Sequence, residues 1–75
     1  MIGRRSEALA DFTRAIENDP NYGLALSSRG ENYRLLGRYD EALADFTRAI
    51  ETDPSYGWAL AQREQTYRHL QRNRG

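Results

Sequence analysis

The sequence predicts an all-α chain of four antiparallel helices, and three observations predict it. Displaced by 34 residues, the stretch from Gly3 to Leu36 aligns with Gly37 to Leu70 at 23 identical pairs. The chain is therefore an internal duplication, and a period of this length marks stacked supersecondary units. Within each copy the apolar residues recur at i, i+3, i+4 and i+7, the spacing that puts them on one helix face. The periodic stretches are broken by Asp19-Pro20, Asp53-Pro54 and Gly37. Proline disfavours helix in the residue before it and donates no N–H, while glycine tolerates the left-handed conformation of a helix end. Nothing in the pattern supports a strand.

In chain order, the first helix is expected near Arg5 to Asn18, carrying Ala8, Leu9, Phe12, Ala15 and Ile16. The second, Tyr22 to Leu36, carries Tyr22, Leu26, Gly30, Tyr33 and Leu36. The third, Tyr39 to Thr52, repeats the first: the run EALADFTRAIE stands unchanged at Glu7 to Glu17 and at Glu41 to Glu51. The fourth, Tyr56 to Arg72, repeats the second through Tyr56, Leu60, Tyr67 and Leu70. Ser6 and Asp40 stand where N-caps are expected. The joining turns are short enough to require antiparallel neighbours.

Seventy-five residues, 39% hydrophobic and 29% charged, fit one small domain and not two cores. No apolar run approaches the roughly 18 to 20 residues that span a bilayer, and MIGRRSEAL lacks the apolar stretch of a secretion signal. With no cysteine the chain has no disulfides or thiolate metal ligands; a cytoplasmic location is the expectation. Eleven acidic residues cancel eleven basic ones, all of them arginine, which removes the bulk attraction of a cationic chain to nucleic acid or anionic lipid. His69 is the only histidine, so neither a metal cluster nor a nucleophile–base pair is on offer. Asp11, Asp45, Glu17 and Glu51 recur with the repeat and read as a solvated or ion-paired face, and no glycine run forms a phosphate loop. Neither an enzyme nor a metal or cofactor is expected.

Leu26, Gly30, Tyr33, Ala42, Phe46, Ala49 and Pro54 stand at the offsets of the tetratricopeptide repeat, which this sequence resembles over Gly3 to Leu70. The resemblance implies a helical solenoid in which each repeat is a first-type helix followed by a second-type helix. On that frame residues 3–22 are the second-type helix of a partial repeat, 23–56 a complete repeat, and 57–75 a first-type helix with a basic tail, all in one domain. The chain thus starts and stops half-way through a repeat. Gly30 to Asn32 become Glu64, Gln65 and Thr66 in the second copy, so the last helix reads as a cap with a polar outer face. Arg29 and Arg63 stand where the family usually has leucine, which suggests an arginine-to-aspartate ladder toward Asp11 and Asp45, of at most ~1 kcal/mol per exposed pair.

The resemblance also implies that first-type helices line a concave surface, which places Leu24, Ser27, Glu31, Arg34, Trp58, Ala61, Gln65 and Arg68 on it. Charge follows helix type: 23–36 and 57–75 carry a net +1 and +3, against −1 and −3 for 3–22 and 37–56. The expected role is a non-catalytic interaction module that binds a partner protein or peptide through Leu24, Ser27, Glu31, Arg34, Trp58, Gln65 and Arg68. Some relatives clamp a chaperone's terminal carboxylate with cations on these helices; here Leu24, Ser27, Ser28, Glu31, Trp58, Ala61, Gln62 and Gln65 stand at those positions, none cationic.

Two units of helix bury little, because repeats cannot cover their apolar faces alone. The alternative role is accordingly a self-assembling structural module, a homodimer or an oligomer that exchanges helices about Gly23 or Gly57, using Leu9, Phe12, Ile16 and Trp58. Further repeats before Met1 are the other source of cover. A third reading, nucleic-acid binding through RHLQRNRG, rests on Arg68, His69, Arg72 and Arg74 with no acid among them; a solvated helix end whose cations suit the helix dipole is the plainer account.

Overall fold

The computed structural model describes residues 4–74, so Gly3 and Gly75, the outer limits of the expected segments, lie outside the described residues. Four helices follow one another: α1 (Arg4–Asn18), α2 (Gly23–Leu35), α3 (Tyr39–Thr52) and α4 (Gly57–Arg74). Among the described residues there is no strand. Each helix packs on the next, α2 most extensively on α3, and α2 also touches α4. No Cα atoms of α1 and α3 approach within 8 Å. The first-type helices α2 and α4 therefore share one side of a flat body, 38 × 33 × 15 Å, and α1 and α3 splay apart on the other.

The turns explain the repeated Asp-Pro. In both copies the aspartate accepts on its side chain from the N–H two residues on, Asn21 N to Asp19 Oδ1 and Ser55 N to Asp53 Oδ1, each 3.1 Å. Its carbonyl then takes the N–H of Tyr22 or Tyr56 at 3.0 Å. This is an Asx turn closed by a backbone turn, for which Asp followed by Pro is suited. Gly37 ends α2 with φ +81°. Gly37 N bonds Arg34 O at 3.0 Å and Arg38 N bonds Tyr33 O at 2.8 Å, the paired bonds of a Schellman motif, whose left-handed residue favours glycine.

The N-cap expectations are corrected. The residue flanking α3 is Arg38, with no side-chain cap, and Asp40 lies inside the first turn. Ser6 likewise lies within α1, which begins at Arg4. Arg38 instead forks onto Glu41, Nε to Oε1 at 2.7 Å and Nη2 to Oε2 at 2.6 Å. A solvent-exposed pair of this kind contributes little; its effect is to tie the two ends of the first turn together. Tyr22 and Tyr56 fall one residue before α2 and α4.

The core is small and in two parts. Ile16, Ala25, Leu26, Ala49 and Ala59 cluster where α2 meets its neighbours, with Ala15, Ile50 and Tyr56 against them. Beside them Phe46 and Ala42 are fully buried between α3 and α2. Gly30 makes that second contact possible, since a Cβ there would lie 2.8 Å from Phe46 Cε1. Thr66, grouped in the sequence with Glu64 and Gln65, turns inward and is fully buried. Its hydroxyl donates to Gln62 O at 2.7 Å, so its burial leaves no unsatisfied donor. The outer face of α4 is less polar than expected: Leu60 and Tyr67 are exposed on it beside Glu64.

Candidate partner-binding face

The face shared by α2 and α4 is held by a side-chain bond across it, Arg34 Nε to Gln62 Oε1 at 3.0 Å. Leu24 is 55% exposed and Trp58 37%; they occupy equivalent positions one repeat apart, near the starts of α2 and α4. Trp58 leans on Tyr56 with ring centroids 6.2 Å apart, and the Tyr56 ring in turn lies beside Gly23, 3.9 Å from where a Cβ would stand. Glu31 and Arg34 are half-buried, Gln65, Arg68 and Ala61 exposed.

Two expected site residues are not on the surface. Ser27 is fully buried and is corrected from a partner contact to an interior residue, because α2 is covered on three sides. Its Oγ has no hydrogen-bond partner, and the second copy has Ala61 at this position. An unpaired buried hydroxyl costs free energy and alanine is the better helix former, so Ser27→Ala is expected to stabilise the chain by about 1 kcal/mol; a fall in Tm would show the hydroxyl to be satisfied. Ile16 is only 8% exposed and sits in the chain's own core, so it is corrected from a self-association contact. Leu9 and Phe12 on the same helix stay half-buried.

The end of the face carries more than the sequence reading assigned. Gln65, Arg68, His69 and Arg72 line an open cavity of about 210 Å³ along one side of α4. His69 stacks flat on Tyr39 of α3, centroids 5.5 Å apart and planes 2° from parallel, which ties the later part of α4 to α3. The signal was in the sequence as the helical spacing of 65, 68, 69 and 72. Arg68 and Arg72 are exposed and form no ion pair among the described residues. A second cavity, of about 350 Å³, is lined by Asn21, Arg48, Glu51 and Thr52 and includes none of the expected site residues.

The expected arginine ladder is half present. Arg29 forks onto Asp45, Nε to Oδ2 and Nη2 to Oδ1 at 2.8 Å each, and its Nη1 reaches Thr13 Oγ1 at 3.3 Å. The hydrogen bonding to Asp45 holds the guanidinium proton above arginine's ordinary range, against the opposing effect of burial. Asp45 is 5% exposed, so removing one partner of this bridge costs more than breaking the exposed pair expected from sequence. Arg63 makes only the Thr contact, Nη1 to Thr47 Oγ1 at 3.5 Å, and Asp11 is exposed; neither belongs to an ion pair among the described residues.

No group of acidic, histidine or cysteine side chains able to hold a metal occurs among the described residues, and none of their helices is long and apolar enough to cross a membrane. In comparison with known proteins, residues 23–56 match the family model of the tetratricopeptide repeat. No curated protein and no solved structure matches the chain.

Proposed function

Because the chain belongs to the tetratricopeptide-repeat family through residues 23–56, whose repeats generally mediate protein–protein interaction, we propose that it is a non-catalytic scaffold binding an acidic peptide segment of a partner protein along α2 and α4. The reading is supported above all by the cavity lined by Gln65, Arg68, His69 and Arg72, where two exposed guanidinium groups have no acid of their own. Leu24 and Trp58 supply exposed apolar surface at the other end of the face. Arginine and tryptophan are the side chains that most often carry binding energy at interfaces, and an unpaired guanidinium suits a carboxylate bidentately. The setting in which the scaffold works is proposed to be cytoplasmic, consistent with a chain free of cysteine.

Trp58 is the only tryptophan and reports occupancy directly. A panel of synthetic peptides pairing aspartate or glutamate with an apolar residue, titrated against the chain, is expected to shift its fluorescence, and the Asn/Gln versions of the same peptides are not. Arg68→Glu with Arg72→Glu is expected to weaken the best peptide by at least about tenfold with little change in Tm, since both positions are exposed. Equal binding by the amide peptides, or no effect of the double charge reversal, overturns the acidic-peptide reading.

A further inference from the structure

The outward faces of α1 and α4 are complementary to each other. Where α3 closes on α2 it buries Ala42, Asp45, Phe46 and Ala49 and leaves Leu26 with no exposure. Arg29 lies at the seam between Asp45 and Thr13. One repeat further on, α4 has Leu60, Arg63 and Tyr67 at the positions of Leu26, Arg29 and Tyr33; Leu60 is 40% exposed and Tyr67 45%, while Arg63 is half-buried and bonds Thr47. One repeat earlier, α1 presents Ala8, Asp11, Phe12 and Ala15 at the positions of Ala42, Asp45, Phe46 and Ala49, with Asp11 exposed and the other three half-buried. The carboxylate that Arg63 lacks and the guanidinium that Asp11 lacks are the two halves of the Arg29–Asp45 bridge.

One residue spoils the match. The position of Gly30 is Glu64 in α4, and a bare Cβ at Gly30 already comes within 2.8 Å of the Phe46 ring. With α1 of a second copy seated on α4 as α3 sits on α2, its Phe12 ring would run into the Glu64 side chain. The carboxylate would also leave water with the nearest cation, Arg63, already taken by Asp11, at a large desolvation cost. We propose that the open face of α4 fits α1 of a second copy of this chain, and that Glu64 is the stop that keeps the copies from adding head to tail. A head-to-tail contact does not close on itself unless the rotation happens to, so without the stop it grows into a filament. This uses the edges of the solenoid and does not depend on the peptide-binding reading of its α2–α4 face.

Sedimentation of Glu64→Gly over a range of concentrations tests it, with circular dichroism confirming that the helices persist. The variant is expected to gain mass with concentration beyond a dimer, and the parent chain is expected not to. Adding Asp11→Ala is expected to reverse the gain by weakening each contact about tenfold. Glycine lowers helix propensity by roughly 1 kcal/mol, so Glu64→Ala serves beside it: it keeps α4 helical, leaves a smaller obstruction, and is expected to give intermediate growth. If both single variants are helical and neither grows, or if α4 unwinds with glycine and the helical alanine variant does not grow, the proposal is overturned. It also fails if the parent chain itself grows head to tail through Asp11.

Discussion

Phe46→Ala is expected to leave the chain unfolded or close to it at room temperature. Phe46 is fully buried, the largest such side chain among the described residues, and its ring fills the space that Gly30 leaves open. Truncating a buried phenylalanine costs about 3–5 kcal/mol, the lost transfer energy plus a cavity that rigid neighbours cannot close. A domain of this length has only about 4–11 kcal/mol in all, at about 0.05–0.15 kcal/mol per residue. A thermal melt followed by circular dichroism is expected to lose more than about 15 °C, or to show no transition. Phe12→Ala is the internal control. It makes the same change in the same eleven-residue run, yet Phe12 is only half-buried, so the loss is expected to be less than half as large. Equal losses at the two positions would mean that α1 is covered on both faces in solution.

The second large effect is expected at Asp45. Asp45→Ala leaves the Arg29 guanidinium, whose side chain is 19% exposed, with the long bond to Thr13 and the Tyr33 ring, 5.6 Å from its Cζ. Removing one partner of a buried pair strands the other charge; allowing for the solvent that reaches Arg29, the cost is about 2–3 kcal/mol. Asp11→Ala changes the corresponding residue, and because that carboxylate is exposed its effect is expected to stay within about 0.5 kcal/mol. A double-mutant cycle with Arg29→Ala is expected to show coupling of at least about 1 kcal/mol between the bridged pair. Urea denaturation of the two aspartate variants checks the contrast, and equal midpoints would remove the bridge as a source of stability.

Those pairs of variants also mark where sequence reasoning stops. Helix spans, the Asp-Pro turns and the left-handed Gly37 were legible, because periodicity and backbone sterics are local. The pairing of Arg29 with an aspartate was legible too, since a cation in an apolar slot needs an anion. The difference between Asp11 and Asp45 was not: the eleven residues around them are identical, and only the helices packed against them differ. Ser27 and Ile16 were misplaced for the same reason. A serine on a helix face says nothing about how many neighbours that face has, and α2, in the middle of the stack, has three. The stack of His69 on Tyr39 escaped notice because it joins two helices that the repeat pattern treats separately.

The splayed arrangement of α1 and α3 gives the molecule its mechanical character. No Cα atoms of the two approach within 8 Å, so what joins them is side chains: Ile16 of α1 and Ala49 of α3 belong to one apolar cluster. The side chain of Arg29 adds a polar tie between them, fastened to Asp45 at 2.8 Å and to Thr13 at 3.3 Å. Drawing α1 away from α3 therefore strains the 3.3 Å bond at Thr13 before the 2.8 Å fork on Asp45, and the polar tie gives way at its α1 end first.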